Sequence, residues 1–442
     1  MDAVPGATAT DAMLSIVAGS FRSLSLVLLV FSPLNRTLHH VETVPAFGPH
    51  QYLATTPRKD YVYTTSWATP PILSSWRVER KDDDSVVRLS HMNTVPITAT
   101  SSYINIPPPY DYIYSAGGPT GEVHEWDPTT GGFGRKVQQF LFVPEEELDK
   151  ADKTRVALRY GSHGVEFSSL GYAFIPVLGT DSIEMYRSDA VTGKLVHISS
   201  NYSPRGTGVH DGPRHVKIHP NGKVLYCVAE HTNYLDIYDI LADSLQHVSS
   251  HSILPRNLSV GSSTPASSSA DPHLRSKHRG GTLLLTPSTP SRPAPVALLT
   301  TTRGATSAEN GWLSIFRLDK DGYISAHPPS VNLSEETQHQ HPLEGAGDVV
   351  RFETPTSSGK ANALDVRLKH DGDSNGVWIL LTDDDKKADE RGAVRVLEWD
   401  GWESKDIGVR VVAEWPSPDL PQLARGGDGV EFTGASHALW LD

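Results

Sequence analysis

The sequence is nearly devoid of cysteine. Cys227 is the only one, so neither an intrachain disulfide nor a cysteine-built zinc cage can form. It sits in the apolar run Val224-Leu225-Tyr226-Cys227-Val228, where it reads as a small buried hydrophobe rather than a nucleophile. Long hydrophobic runs are also missing. The apolar stretch 24–31 lies between Arg22 and Ser32-Pro33 and is far too short to cross a bilayer. Asp2 and Asp11 stand where a secretory leader carries basic residues, so the stretch reads as an opening strand. Positive charge is the third shortage: 39 Lys and Arg against 52 Asp and Glu give a net charge of -13. Nucleic acid and anionic lipid are polyanions, so neither nucleic acid nor a membrane is expected as a partner. A small anionic ligand would need a local cationic pocket. The sequons at Asn201 and Asn257 are short enough to arise by chance, and a cytoplasmic location is the expectation.

What is present points to β structure. Hydrophobic residues make up 38% and charged residues 21%, the range of a globular chain that can bury a large core. The 36 Gly and 32 Pro beside 9 Trp and 15 Tyr favour many short strands joined by tight turns over long helices. A chain of 442 residues could hold two or three average domains, but closed all-β architectures regularly exceed that size prior.

An internal repeat decides the architecture. Gly164-Val165-Glu166-Phe167-Ser168-Ser169-Leu170-Gly171 parallels His215-Val216-Lys217-Ile218-His219-Pro220-Asn221-Gly222, displaced by roughly fifty residues. In each copy the glycine is followed by an apolar strand, a polar loop and a second alternating strand ending in tyrosine, Tyr186 or Tyr238. Weaker copies occur at 61–67, 311–322 and 362–397. A lone meander leaves one face and two edges open, whereas radial repetition buries the faces and protects the edges. The expected fold is therefore all-β, a single seven-bladed β-propeller over 1–442 with four-stranded antiparallel blades. The Ser/Thr/Pro-rich stretch 259–295 reads as a disordered surface insertion, and 145–155 as an unusually long charged loop. Asp383-Asp384-Asp385 reads as a solvated turn, since no further ligands have the spacing of a calcium loop.

Four polar residues lie at the ends or turns of repeat strands, where propeller side chains converge on a common mouth. They are His163 in Gly161-Ser162-His163-Gly164, Arg214 in Gly212-Pro213-Arg214-His215, Glu230 after 224–229, and Arg303 closing 297–303. His163 and Arg214 occupy equivalent places in the repeat, so they should project from corresponding positions on adjacent blades. A glutamate beside an arginine forms a polar cluster with a tunable pKa. A guanidinium can grip a carboxylate through two parallel hydrogen bonds and stays charged at any relevant pH.

At these residues the chain resembles the fungal 3-carboxy-cis,cis-muconate cyclases, within the wider seven-bladed lactonase family that also contains 6-phosphogluconolactonases. The resemblance is carried by Ser162-His163-Gly164-Val165-Glu166-Phe167, the run from Gly212 through Arg214 to Tyr226, Thr302-Arg303-Gly304, Ala361-Asn362-Ala363 and the terminal Ala438-Leu439-Trp440-Leu441-Asp442. It implies lactonisation of a carboxymuconate in aromatic-compound catabolism, with His163, Arg214, Glu230 and Arg303 as the catalytic set and no cofactor or metal. Arg214, Arg303 and His163 would bind a small di- or tricarboxylate, and His163 or Glu230 would deliver the proton, His163 being the favoured carrier with Glu230 as its electrostatic partner. A homo-oligomer is compatible with this reading. The first alternative is a lactone hydrolase of the 6-phosphogluconolactonase type. The second is a non-enzymatic scaffold, against which stands the lack of a regular Trp-Asp period, since Trp126-Asp127 and Trp399-Asp400 are isolated.

Overall fold

The computed structural model describes residues 12–81, 85–206, 208–258, 277–324, 348–369, 376–385, 392–405, 407–417 and 433–442. They form seven antiparallel sheets of four strands each. The first blade contains β1 (Leu14–Gly19), β2 (Leu26–Ser32) and β3 (Thr37–Val44). The apolar run expected to open the fold is thus its second strand. Blade two runs from β4 (Leu53–Thr55) through β5 (Tyr61–Thr65) and β6 (Ile72–Arg80) to β7 (Val86–Pro96). Blade three holds β8 (Ser101–Asn105), β9 (Tyr112–Gly117), β10 (Thr120–Trp126) and β11 (Phe133–Leu141). In blade four β12 (Glu166–Phe167) is followed by β13 (Tyr172–Val177), β14 (Ser182–Ser188) and β15 (Leu195–Tyr202).

Blade five comprises β16 (Pro213–Ile218), β17 (Val224–Ala229), β18 (Tyr234–Ile240) and β19 (Leu245–Ser252). Blade six has β20 (His278–Leu285), β21 (Ala297–Gly304), β22 (Trp312–Arg317) and β23 (Val349–Glu353). Blade seven has β24 (Leu364–Leu368), β25 (Val377–Asp383), β26 (Ala393–Trp399) and β27 (Val409–Trp415). The last strand, β28 (His437–Trp440), returns to blade one and pairs with β1, Ile16 opposite Trp440 and Gly19 opposite His437. One sheet thus joins both ends of the chain and closes the ring, which leaves no open seam.

Strand alternation explains the core. Ile16 and Ala18 of β1 pack toward blade seven against Trp378 and Val396, while Val17 between them faces Val62 and Trp76 of blade two. The same division recurs at every junction, giving one apolar cluster between each pair of neighbouring blades. Middle strands are therefore buried on both faces, as in β13, β17 and β25, while the outer β19 is largely exposed.

Two expectations are corrected. Of the stretch 259–295, residues 259–276 lie outside the described residues, but His278–Leu285 is the innermost strand of blade six, not an insertion. Its Gly280-Gly281 pair answers close packing rather than flexibility. A Cβ on Gly280 would stand 2.3 Å from the Ala229 carbonyl oxygen, and one on Gly281 2.3 Å from Asn362 Oδ1. The acidic triplet is not solvated: Asp383, Asp384 and Asp385 are buried. Asp383 is paired with Arg395, Asp384 Oδ1 lies 2.9 Å from Arg22 Nε, and Asp385 Oδ2 accepts from the Ser357 hydroxyl at 2.7 Å. Those partners come from distant sequence, so the local charge pattern did not reveal them.

Phe174 on β13 is fully buried between blades four and five against Val216, Leu225 and Cys227. Phe174→Ala is expected to cost about 3–5 kcal/mol, read as a lower urea midpoint. A loss below about 1 kcal/mol would show that the blade interface is not the close-packed contact described.

Candidate active site

Each blade begins its innermost strand and ends its next strand at the same end of the ring, because the two run antiparallel. Side chains at those positions share one mouth. Arg214 stands at the start of β16 and Arg279 at the start of β20; Glu230 follows β17 and Arg303 closes β21. His163 just precedes β12, Gln51 just precedes β4, and Phe21 and Trp67 follow β1 and β5. All of them line one pocket of about 560 Å³. The four residues singled out in the sequence therefore lie together, drawn from blades four, five and six, with Arg214 and Glu230 on the same blade.

Glu230 holds the two arginines. Its Oε2 accepts from Arg214 Nε at 3.0 Å and its Oε1 from Arg303 Nη2 at 2.8 Å. The glutamate backbone is fixed from both sides, its N–H donating to the Gly212 carbonyl at 2.7 Å and its carbonyl accepting from Gly280 N–H at 2.9 Å. Gly212 makes this turn at φ +67, and a Cβ there would meet the His231 ring at 2.7 Å. Burial alone would raise the Glu230 pKa, but Arg303 and Arg214 outweigh it and bring the carboxyl down to about 2. Glu230 is thus an anion at neutral pH and no proton donor. Arg303 Nε is buried with no hydrogen-bond partner among the described residues.

His163 is held in one tautomer by a directed chain of hydrogen bonds. The Trp67 indole, which can only donate, gives its N–H to Gln51 Oε1 at 2.8 Å. This turns Gln51 Nε2 toward His163 Nδ1 at 3.3 Å, and His163 Nε2 donates to the Leu158 carbonyl at 2.9 Å. Nδ1 is therefore the lone-pair nitrogen and Nε2 carries the hydrogen. Burial first, and Arg214 next, push the imidazole down to about 3, so it is neutral.

The rest of the pocket is cationic. Arg155, Arg159, Arg279 and Lys360 join Arg214 and Arg303 around the single carboxylate of Glu230. In a chain of net charge -13 this concentrates positive potential where a small anion would enter. The long charged loop at 145–155 leads into this wall, since Arg155–Arg159 is a short 3₁₀ helix. Trp67 stacks on Phe21 at 4.5 Å, with the Arg155 guanidinium 5.3 Å from its ring. Sequence reasoning missed Gln51, Trp67, Arg279 and Lys360. Arg279 lies directly opposite Arg303 across β20 and β21, a pairing that only the strand register reveals. Gln51 had no local signal, because its role depends on blade two meeting blade four. Among the described residues, no group of three or more His, Cys, Asp or Glu is arranged to hold a metal ion.

Residues 16–284 match the family described as "Lactonase, 7-bladed beta-propeller", and the chain belongs to that family. It is similar to Muconate cycloisomerase 1 of Cutaneotrichosporon cutaneum, with 28% identity over 404 residues, 90% of this chain and 93% of that protein. A shorter match, 34% over 86 residues, covers 20% of this chain and 25% of a 6-phosphogluconolactonase of Erwinia tasmaniensis. Among solved structures, the periplasmic gluconolactonase of Pseudomonas aeruginosa superimposes with a TM-score of 0.64 at 14% identity, covering 98% of this chain and 99% of that one. That likeness concerns the fold.

The neutral state of His163 has a measurable consequence. Its folded pKa of about 3 lies below the ordinary 6.5, so the unfolded chain binds the proton more readily. Stability contributed by this group is full above pH 6.5 and is lost as pH falls toward 3. His163→Gln should therefore flatten the fall in urea-unfolding free energy between pH 6.5 and 4; a slope identical to that of the unaltered protein would contradict the assignment.

Proposed function

We propose that this protein catalyses the cofactor-independent cycloisomerisation of 3-carboxy-cis,cis-muconate to a carboxymuconolactone. The observation that carries the reading is the arginine pair bridged by Glu230 beside a neutral histidine, in a pocket lined by five arginines, one lysine and one carboxylate. The match to a muconate cycloisomerase along nearly the whole chain supports the same reading.

In the proposed reaction one substrate carboxylate oxygen adds to a carbon of the substrate's own conjugated double bond. The displaced π electrons move toward the carbon next to another carboxylate, forming an enolate-like group, and a proton delivered to that carbon completes the lactone. No atom is lost and no oxidant is consumed. Nucleophile and electrophile are in one molecule, so holding a folded conformer is worth an effective molarity on the order of 10⁵ M or more. Arg214 and Arg303, which line the pocket, would bind the carboxylates and stabilise the developing charge. A bound trianion also raises the pKa of a neighbouring imidazole. His163 Nδ1 would then take up a proton as the substrate enters, with Gln51 releasing it, and pass that proton to carbon.

A second reading is favoured by the short match to a 6-phosphogluconolactonase: the same pocket would direct water onto a lactone carbonyl. The two are separated by incubating the purified protein with 3-carboxy-cis,cis-muconate and, in parallel, with 6-phosphogluconolactone. Loss of the diene ultraviolet absorbance with the first and no acid release from the second is the expected result, and the reverse pattern establishes the hydrolase. Within the cyclase reading, His163→Gln should lower kcat roughly 10²- to 10⁴-fold with the fold retained. Arg303→Met should lower it by about 10²- to 10³-fold. Near-normal lactone formation by either variant would refute its role.

A further inference from the structure

A small chamber adjoins the pocket and shares Arg214 and Lys360 with it. Its volume is about 20 Å³, room for one oxygen-sized group. Three further wall residues, His215, Asn362 and Ser436, each bring a buried polar atom with no hydrogen-bond partner among the described residues. The atoms are His215 Nδ1, Asn362 Nδ2 and Ser436 Oγ, on side chains of residues only 4%, 3% and 2% exposed. Orphaned polar groups at this depth are rare in folded proteins, and three around one chamber ask for a shared partner.

The chemistry of that partner follows from the donors. Arg214 Nη1 points at His215 Nε2 at 3.1 Å, and a guanidinium can only donate. The His215 hydrogen therefore sits on Nδ1. Burial, followed by the Arg214 charge, pushes this imidazole well below its ordinary pKa, so it is a neutral N–H donor. Asn362 Nδ2 also donates, and the Ser436 hydroxyl can. No carboxylate lines the chamber. An ammonium would find no counter-charge there, whereas an acceptor oxygen would meet donors from several sides.

We infer that the chamber is a binding site for one oxygen of a ligand carboxylate, held by His215 Nδ1–H, Asn362 Nδ2–H and the Ser436 hydroxyl with Arg214 beside it. The inference rests on the reading that the ligand carries several carboxylates. One of them is seated here while the remaining ones stay with Arg303 and the outer cations. His215 and Asn362 thereby fix which end of the ligand faces inward.

The test uses the intact protein and a saturated probe, propane-1,2,3-tricarboxylate, whose affinity is measured by calorimetry. Asn362→Leu removes the donor at similar volume and should weaken binding roughly tenfold or more, and Ser436→Ala should weaken it by about threefold. Both should retain the far-ultraviolet spectrum of the parent. A crystal structure with the probe should place a carboxylate oxygen within hydrogen-bond distance of His215 Nδ1 and Asn362 Nδ2, which decides the matter even if one variant does not fold. Unchanged affinity in both variants, failure of the parent protein to bind the probe, or a bound probe with water in the chamber and every carboxylate outside it would overturn the inference. Its fate is separable from that of the proposed reaction. Muconate turnover with an unaltered KM in Asn362→Leu sinks the chamber alone, and a carboxylate seated there in a protein that cyclises no muconate sinks the reaction alone.

Discussion

Two guanidinium groups share one largely enclosed carboxylate, and the rest of the site depends on that arrangement. Burial first, with the neighbouring Arg303 charge adding to it, lowers the pKa of Arg214, while Glu230 opposes both and lets the two guanidiniums remain close together. Removing one member of a buried ionic cluster typically costs about 3–5 kcal/mol because the charges left behind are uncompensated. Glu230 also spends only part of each arginine's donor capacity, which leaves a cationic surface oriented for an incoming anion. Two carbonyls, those of Gly281 and Leu158, complete the fixation by accepting from Arg214 Nη1 at 3.0 Å and from His163 Nε2 at 2.9 Å.

The propeller makes such a cluster geometrically cheap. Antiparallel meanders return every blade to the same mouth, so four side chains from three adjacent blades meet without any long excursion of the chain. Ring closure through β1 and β28 and the apolar seam at every blade junction hold those strand ends in register. The acidic balance of the whole chain sharpens the contrast, because the mouth is then a local cationic exception on an otherwise acidic protein. Two buried imidazoles that feel the Arg214 charge, His163 and His215, lie below their ordinary pKa, with burial the leading cause in each. Neutral rings add hydrogen-bond direction there without adding repulsion to the arginines.

Much of this was legible in the amino-acid order, for identifiable reasons. The repeat linking Gly171 to Gly222 carries the blade, because alternation and turn glycines are local features. The strand-end positions of His163, Arg214, Glu230 and Arg303 follow from the same local pattern. What escaped was non-local. Gln51 matters only because Trp67 orients it and a different blade presents His163 to it. Gly280-Gly281 resembled a linker, since nothing nearby in sequence announces the Ala229 backbone and Asn362 side chain that exclude a Cβ. The aspartates at 383–385 looked solvated because Arg22, Ser357 and Arg395 reach them only after folding.

Glu230 organises the arginine pair and, in the proposed reaction, would compete with the ligand for it. The most direct test of this is Glu230→Gln, compared with the parent protein for binding of propane-1,2,3-tricarboxylate and for turnover of 3-carboxy-cis,cis-muconate. The account predicts tighter binding, because a competing negative charge is gone, together with a kcat lower by about 10² or more because the guanidiniums lose their orientation. Unchanged affinity with unchanged kcat would contradict it.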